Sequence, residues 1–259
     1  MDLTNFTIKE LKKYFTENKV TQNLIRKMKN DSRQGVQKLA AKYKKKQERM
    51  EAKKEKWESM NQKLVELKKN GFELIAGIDE AGRGPLAGPI VAGAVILDPT
   101  IKILGLDDSK KLSYKIRESL FEQINEKAVA VGHGIIDSDT IDEVNIHNAT
   151  FLAMKEAIRN LNIIPDFLLI DGNKKIPDLD IKQEVITDGD GKINSIAAGS
   201  IIAKVTRDRI IEKYDSQYPE YGFKNNKGYG TKEHREALEK YGPTPIHRYS
   251  YSIVEKNAN

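Results

Sequence analysis

The 259-residue chain contains no cysteine. Disulfides, thiol nucleophiles and thiolate metal sites are therefore excluded, which fits a reducing cytoplasm. Histidine is scarce: His133, His147, His234 and His247 are the four copies, none at metal-ligand spacing to another. Any bound ion would rest on carboxylate oxygens, a donor set that favours Mg2+ or Mn2+ over zinc. There is no run of about 18 apolar residues, so no membrane-spanning helix is expected. The opening residues MDLTNFTIKELKKYF lack the basic, apolar and small-residue succession of a signal peptide.

What is present is charge, and it is unevenly spread. Residues 1–70 carry 20 Lys and Arg against 9 Asp and Glu, a net of +11, whereas residues 71–259 carry 24 against 29, a net of −5. A basic leader on a soluble body suits a polyanionic partner such as nucleic acid, and equally a solvated helix surface. Thr7 and Glu10 form a capping box for a first helix, and Thr21 to Met28 is helix-compatible. Asn30-Asp31-Ser32 is a break. From Gln34 to about Asn70 there is no proline, and Val36, Tyr43, Met50, Trp57 and Leu64 recur every seven residues. Leu39, Met60 and Leu67 fill the companion seam at its ends, but Lys46 and Lys53 interrupt it. Such a helix could dock one edge on other helices or grip a phosphate backbone, and opposite faces could do both. Asn70-Gly71 ends it, so the expected division is a helical extension over 1–70 and a body over 71–259.

The body opens on Ile75 to Leu97, IAGIDEAGRGPLAGPIVAGAVIL. A buried strand would deliver Asp79 and Glu80 to its end, pass through Gly82-Arg83-Gly84-Pro85, and return as a hairpin. Two unpaired carboxylates do not stabilise a core strand, because their burial is costly. Further strands are expected at Val129–Ile136, Phe167–Ile170 and Val185–Thr187. Helices are expected over 114–127, 146–161, 195–215 and from Thr231 to Gly242. Alternation of this kind predicts an α/β fold with a mixed sheet.

Asp79-Glu80, Asp171 and one of Asp188 or Asp190 each follow an apolar run and precede glycine. Any one alone reads as turn chemistry. Together, at strand ends where α/β sheets build their sites, they predict convergence. Four converging carboxylates repel and raise one another's pKa. Two divalent ions roughly 3.5–4 Å apart relieve this and suit phosphodiester hydrolysis. A calcium loop at Asp188 fails, because Lys192 stands where an oxygen ligand is needed.

The runs GIDEAGRGPLAGPIVAGAVIL, DSKKLS, LLIDG, SIAAGSIIAKVTRDR and KGYGTKEHREAL, spread over roughly 72–250, closely resemble bacterial ribonuclease HII. The resemblance implies a ribonuclease H-like mixed sheet flanked by helices. It also implies two-metal hydrolysis, with Mg2+ or Mn2+, of RNA paired with DNA and of single ribonucleotides in duplex DNA, leaving 3′-hydroxyl and 5′-phosphate ends. Matched motif by motif, Asp79, Glu80, Asp171 and Asp190 are the implied catalytic and metal-binding acids, Asp190 being preferred to Asp188 by the register of SIAA at Ser195. Gly82, Arg83 and Gly84 match the loop that approaches the ribonucleotide, whose 2′-hydroxyl separates RNA from DNA. Tyr229 matches a tyrosine that stacks at the RNA–DNA junction, and Ser109 and Lys110 match a segment near the substrate. Lys204 and Arg207 share a helix face and suit either phosphate contacts or salt bridges. His247-Arg248 matches a tail pattern with no role assigned. The implied partners are an RNA/DNA hybrid and ribonucleotide-containing duplex DNA, for a cytoplasmic monomer with no membrane contact. Arg83 separates the chain from the sister ribonuclease HIII, which lacks Arg there, and the leader has no role in the core pattern and no identified protein partner.

Overall fold

The computed structural model describes residues 3, 5–18 and 20–258. Residues 1, 2, 4, 19 and 259, parts of the expected extension and body, lie outside the described residues. The chain forms two compact units, Met1–Lys56 and Trp57–Asn259.

The first unit holds α1 (Ile8–Glu17), α2 (Gln22–Lys29) and the first half of α3 (Gln34–Lys69). Thr7 and Glu10 make the reciprocal capping box, and Thr21 accepts from the Leu24 amide. Leu11, Phe15, Ile25, Met28, Val36, Leu39 and Ala40 pack together as its core. The seven-residue stripe on α3 is buried at Val36 and again at Trp57 and Leu64, but Met50 is 43 % exposed. Its polar middle thus coincides with the stretch where the helix leaves the first unit.

The second unit is built on a five-stranded sheet ordered β3-β2-β1-β4-β5. The strands are β1 (Ile75–Ala81), β2 (Ile90–Ile96), β3 (Ala130–Ile136), β4 (Phe167–Asp171) and β5 (Lys182–Ile186). β1, β2 and β3 run antiparallel as consecutive neighbours, while β1, β4 and β5 are parallel. This is the expected mixed sheet with its β1–β2 hairpin. β5 lies a few residues before the apolar Val185-Ile186-Thr187 stretch would place it. There Gln183 accepts from the Ile176 amide and donates back to the Ile176 carbonyl, tying the edge strand to the preceding loop.

The helices are α4 (Tyr114–Lys127), α5 (Ser138–Arg159), α6 (Asn194–Gln217), the single turns α7 (Phe223–Asn226) and α9 (Ser252–Glu255), and α8 (Lys232–Tyr241). α5 starts earlier than its apolar spacing suggests, because Asp137 caps it by accepting from the Thr140 amide. It bends at Asn145 (φ 68°, ψ 160°), whose carboxamide oxygen accepts from the amides of His147 and Asn148 and restarts the helix. One apolar cluster lies between the sheet and α6, the other between the sheet and α5.

Contact between α6 and the sheet is backbone on backbone. A Cβ on Gly77 would lie 2.1 Å from the Ser195 carbonyl carbon, and one on Gly93 would lie 2.2 Å from the Gly199 carbonyl oxygen. Gly199 answers from the helix, where a Cβ would stand 2.9 Å from the Gly93 oxygen and 3.0 Å from the Gly77 oxygen. Main chain on both sides cannot yield as a side chain could. Gly77→Ala is therefore expected to cost about 3 kcal/mol, read as a lower urea midpoint with an unchanged slope.

Candidate active site

Parallel pairing aligns the ends of β1 and β4: Ile78 stands beside Ile170, so Asp79 and Asp171 follow at the same edge. Asp171 pairs with Ile186 at the end of β5, and the turn after it, Gly189–Gly191, carries Asp190. Asp171 Oδ1 accepts from the Gly189 amide at 2.7 Å, which fixes that turn against β4. Asp190 is buried, whereas Asp188 is exposed with φ 54°. The structure thus gathers Asp79, Glu80, Asp171 and Asp190 at the carboxyl edge of the parallel strands, where α/β sheets build sites.

The acids feel one another. Burial, then the charges of Glu80 and Asp171, holds the Asp79 carboxyl well above the usual carboxylate range, against hydrogen bonds from Ser200 and the Glu80 amide. Burial also raises Glu80; Arg83, 3.4 Å away, opposes this and Asp171 adds to it. Asp190 is pushed up to about 6 by burial and by Asp108 and Asp171. For Lys110, burial lowers the pKa, but Asp108, Asp79, Asp190 and Asp171 outweigh it and raise the ammonium. Among the described residues, no three His, Asp or Glu side chains close on a single point tightly enough to hold an ion as they stand. The donor set is all carboxylate and under electrostatic tension, which fits hard divalent cations such as Mg2+ or Mn2+.

Ser109 is brought near this edge but turned inward: its hydroxyl is buried and lies 3.0 Å from the Ser200 hydroxyl. Lys110 beside it is exposed. Asp108 accepts from the Lys110 amide and hydrogen-bonds the Asp190 carboxyl, making it a fifth acid at the site. The sequence singled out Ser109 and Lys110 of the DSKKLS run but not Asp108 beside them.

The Gly82–Pro89 loop is held by two arginines with no exposed surface, Arg207 of α6 and Arg248. Arg207 donates from Nε to the Pro89 carbonyl (3.0 Å), from Nη2 to that of Ala87 (3.1 Å) and from Nη1 to that of Lys227 (2.9 Å). Arg248 donates from Nη2 to the carbonyls of Gly82 (2.6 Å) and Gly88 (2.8 Å), and from Nη1 to that of Arg83 (3.0 Å). Gly82 has φ +105°, and a Cβ there would meet Arg207 Nε at 2.3 Å, so glycine is needed twice over. Arg207 therefore commits its buried guanidinium to main-chain carbonyls and makes no salt bridge among the described residues. Lys204 does make a salt bridge, 2.7 Å to Asp208. The signal for Arg207 was its place on the buried side of α6, one helical turn from Ala203 and Ile211.

Tyr229 is 42 % exposed, backed by Lys204 and Arg207 at 6.0 and 5.9 Å from its ring centre. A buried chain of imidazoles holds its main chain. The Thr244 amide donates to His247 Nδ1 at 2.9 Å, His247 Nε2 and His234 Nε2 lie 3.0 Å apart, and His234 Nδ1 lies 2.9 Å from the Tyr229 carbonyl. The contacts are satisfied by two neutral rings, with His247 donating to His234 and His234 to Tyr229. Burial and the neighbouring His234 lower His247 to about 4, and burial lowers His234 as well.

Two outcomes follow. Arg248→Met leaves the Gly82, Arg83 and Gly88 carbonyls without these donors and is expected to cost about 3 kcal/mol in urea unfolding. Arg248→Lys should recover only part, since an ammonium cannot reproduce the guanidinium fork. For the histidines, the folded chain holds His247 at about 4 against an ordinary 6.5, so the unfolded chain takes up the proton first as pH falls. Their contribution is whole above about pH 6.5 and is lost as pH falls toward about 4, a decline in melting temperature that His247→Gln should flatten.

Comparison with known proteins gives this arrangement a family. The family model for Ribonuclease HII matches residues 76–254, and that for the Ribonuclease HII N-terminal domain matches residues 7–63. The chain is 50% identical over 254 residues to Ribonuclease HII of Bacillus subtilis (strain 168), covering 98% of this chain and 99% of that protein. It is 49% identical over 254 residues to Ribonuclease HII of Bacillus licheniformis, with the same shares covered. The crystal structure of the ribonuclease H2 from Pyrococcus horikoshii OT3 superposes with a TM-score of 0.63 at 29% identity, over 72% of this chain and 97% of that one. The chain thus belongs to the ribonuclease HII family, enzymes that hydrolyse RNA in RNA/DNA hybrids.

Proposed function

We propose that the chain is an endonuclease that cuts the RNA strand of hybrids and also nicks duplex DNA 5′ to a single embedded ribonucleotide, leaving 3′-hydroxyl and 5′-phosphate ends. The observation that carries this reading is the gathering of Asp79, Glu80, Asp171 and Asp190 at one sheet edge, beside a glycine loop tied down by two buried arginines. In it, residues 71–259 form the catalytic body and 1–70 a helical extension.

Asp79, Glu80, Asp171 and Asp190 are the residues that would hold two divalent ions, Mg2+ or Mn2+. Those ions, when bound, supply Lewis acidity at the phosphodiester and a lowered pKa for the attacking water. Arg83 opposes the burial that raises Glu80, and its exposed guanidinium is also placed to meet a backbone phosphate. Gly82 and Gly84 leave the loop bare of side chains, so its main chain can approach a sugar edge and test it for a 2′-hydroxyl. The exposed ring of Tyr229 offers a stacking surface for the sugar or base at the RNA–DNA junction. Lys110, whose charge the acids reinforce, suits a phosphate next to the scissile bond, while Ser109 acts from behind, through Ser200, on the setting of Asp79.

The direct test is a DNA duplex with one ribonucleotide, incubated with the protein and Mg2+ or Mn2+. Nicking on the 5′ side is expected with the wild type, together with its loss in a chelator. Asp79→Asn should lower the rate roughly a thousandfold, about 4 kcal/mol of barrier. The same variant should melt no lower than the metal-free wild type, because it removes a buried carboxylate that its neighbours repel. Undiminished nicking by pure Asp79→Asn would refute the assignment.

A further inference from the structure

The first half of α3 sorts its charges by side. At the 100° per residue of an α-helix, Lys38, Lys42, Lys45, Arg49, Lys53 and Lys56 fall within roughly 80° of one another. All six are exposed. No Asp or Glu falls on that side between Gln34 and Lys56; the acids of the stretch, Glu48, Glu51 and Glu55, lie together on another side. A third side, with Val36, Leu39 and Ala40, is buried against α1 and α2.

This sorting works against the helix. Lys38–Lys42, Lys45–Arg49 and Arg49–Lys53 are like-charge pairs four residues apart, an arrangement that destabilises a helix. On its other sides the same helix uses the stabilising alternation, with Lys44 paired to Glu48 at 3.2 Å and Lys54 to Glu51 at 3.2 Å. A face that only needed solvation would gain from that alternation everywhere. The stripe extends over five helical turns, about 27 Å at 1.5 Å per residue, the length of about eight base pairs at 3.4 Å each.

We infer that this stripe is a duplex-binding surface: Lys38, Lys42, Lys45, Arg49, Lys53 and Lys56 lie along the sugar-phosphate backbone of double-stranded nucleic acid and neutralise its phosphates without reading bases. Charge complementarity selects the occupant. A continuous row of cations along one side of the helix, with no Asp or Glu of that stretch among them, matches a polyanion of regular phosphate spacing. The side chains are long and flexible and present no pocket for a base edge, so binding is independent of sequence and serves duplexes with or without a ribonucleotide. The surface is therefore separate from ribose recognition and does not depend on the cleavage reading.

The test uses the full-length chain and an all-DNA duplex in a chelator, so that neither cleavage nor a ribonucleotide contributes. Binding is followed by fluorescence anisotropy across a salt series. Lys38→Gln, Lys42→Gln, Lys45→Gln, Arg49→Gln and Lys53→Gln are combined; Gln keeps nearly the helix propensity of Lys and Arg, and circular dichroism verifies that the helix remains. A control variant removes equal charge off the stripe, through Lys9→Gln, Lys12→Gln, Lys27→Gln, Lys29→Gln and Lys44→Gln. If the stripe carries the duplex, its variant loses about 4.5 from the slope of log affinity against log salt, because each neutralised phosphate contributes about 0.9. The control then keeps a slope near the wild type. An unchanged slope in the stripe variant overturns the proposal, and so does an equal fall in both variants, which would assign the effect to net charge alone.

Discussion

Everything at the candidate site depends on how closely α6 lies on the sheet. Gly77, Gly93 and Gly199 let helix backbone meet strand backbone with no side chain between them. Three elements of the site travel with that helix. Asp190 sits on the turn that leads into it, Ser200 hydrogen-bonds Asp79 from its second turn, and Arg207 reaches the Ala87 and Pro89 carbonyls farther along. One spacing therefore sets both the acids' mutual distance and the position of the glycine loop. A side chain inserted at Gly77 or Gly93 would displace all three together, so the fold and the chemistry are coupled through a contact that contains no catalytic atom.

The site also concentrates unfavourable electrostatics of both signs. On one side, burial and mutual repulsion raise Asp79, Glu80 and Asp190. On the other, Arg207 and Arg248 are buried beside each other, with Arg207 lowered to about 10 by burial and then by its neighbour. The two clusters are resolved differently. The arginines are answered within the chain by carbonyl dipoles, so they remain charged and immobile and serve as rivets for the loop. The carboxylates are answered in part, by Ser200, Arg83 and Lys110, and in the proposed reading the remaining tension is what divalent cations would relieve. A fully satisfied acid cluster would be more stable and would have less reason to bind them.

Much of this was readable before any coordinates. Caps at Thr7 and Thr231, the β1–β2 hairpin and the strand-end acids each depend on residues near in sequence, where period and turn chemistry speak directly. Asp190 could be preferred to Asp188 only through the family's register, and its burial agrees with that preference. The arginine rivets were illegible for a definite reason. The glycine-loop carbonyls that Arg207 and Arg248 bind lie 118 to 166 residues away, and carbonyls are common to every residue type, so no side-chain pattern marks the partner. The imidazole chain hid for another reason: its ends, Tyr229–His234 and Thr244–His247, are local, but they join only where His234 meets His247 after the chain has turned back past α8. The bend at Asn145 was masked because apolar spacing restarts just beyond it.

The uneven charge of the chain has a physical logic once the acids are placed. Residues 71–259 carry a net −5 and present buried carboxylates to a substrate that is itself a dense row of negative charge. Such a body repels duplex nucleic acid on approach within the screening length, about 8 Å at physiological salt. Arg83 and Lys110 can hold a phosphate once it has arrived, but two side chains beside several acids cannot reverse the sign of the body's field. The net +11 of residues 1–70 does reverse the sign for the chain as a whole. Separating attraction from catalysis has a further consequence. Cations packed among Asp79, Asp171 and Asp190 would pair with those carboxylates and compete with the divalent ions they suit, whereas cations on the helical unit, if they hold the duplex as proposed, would leave the acids' tension intact.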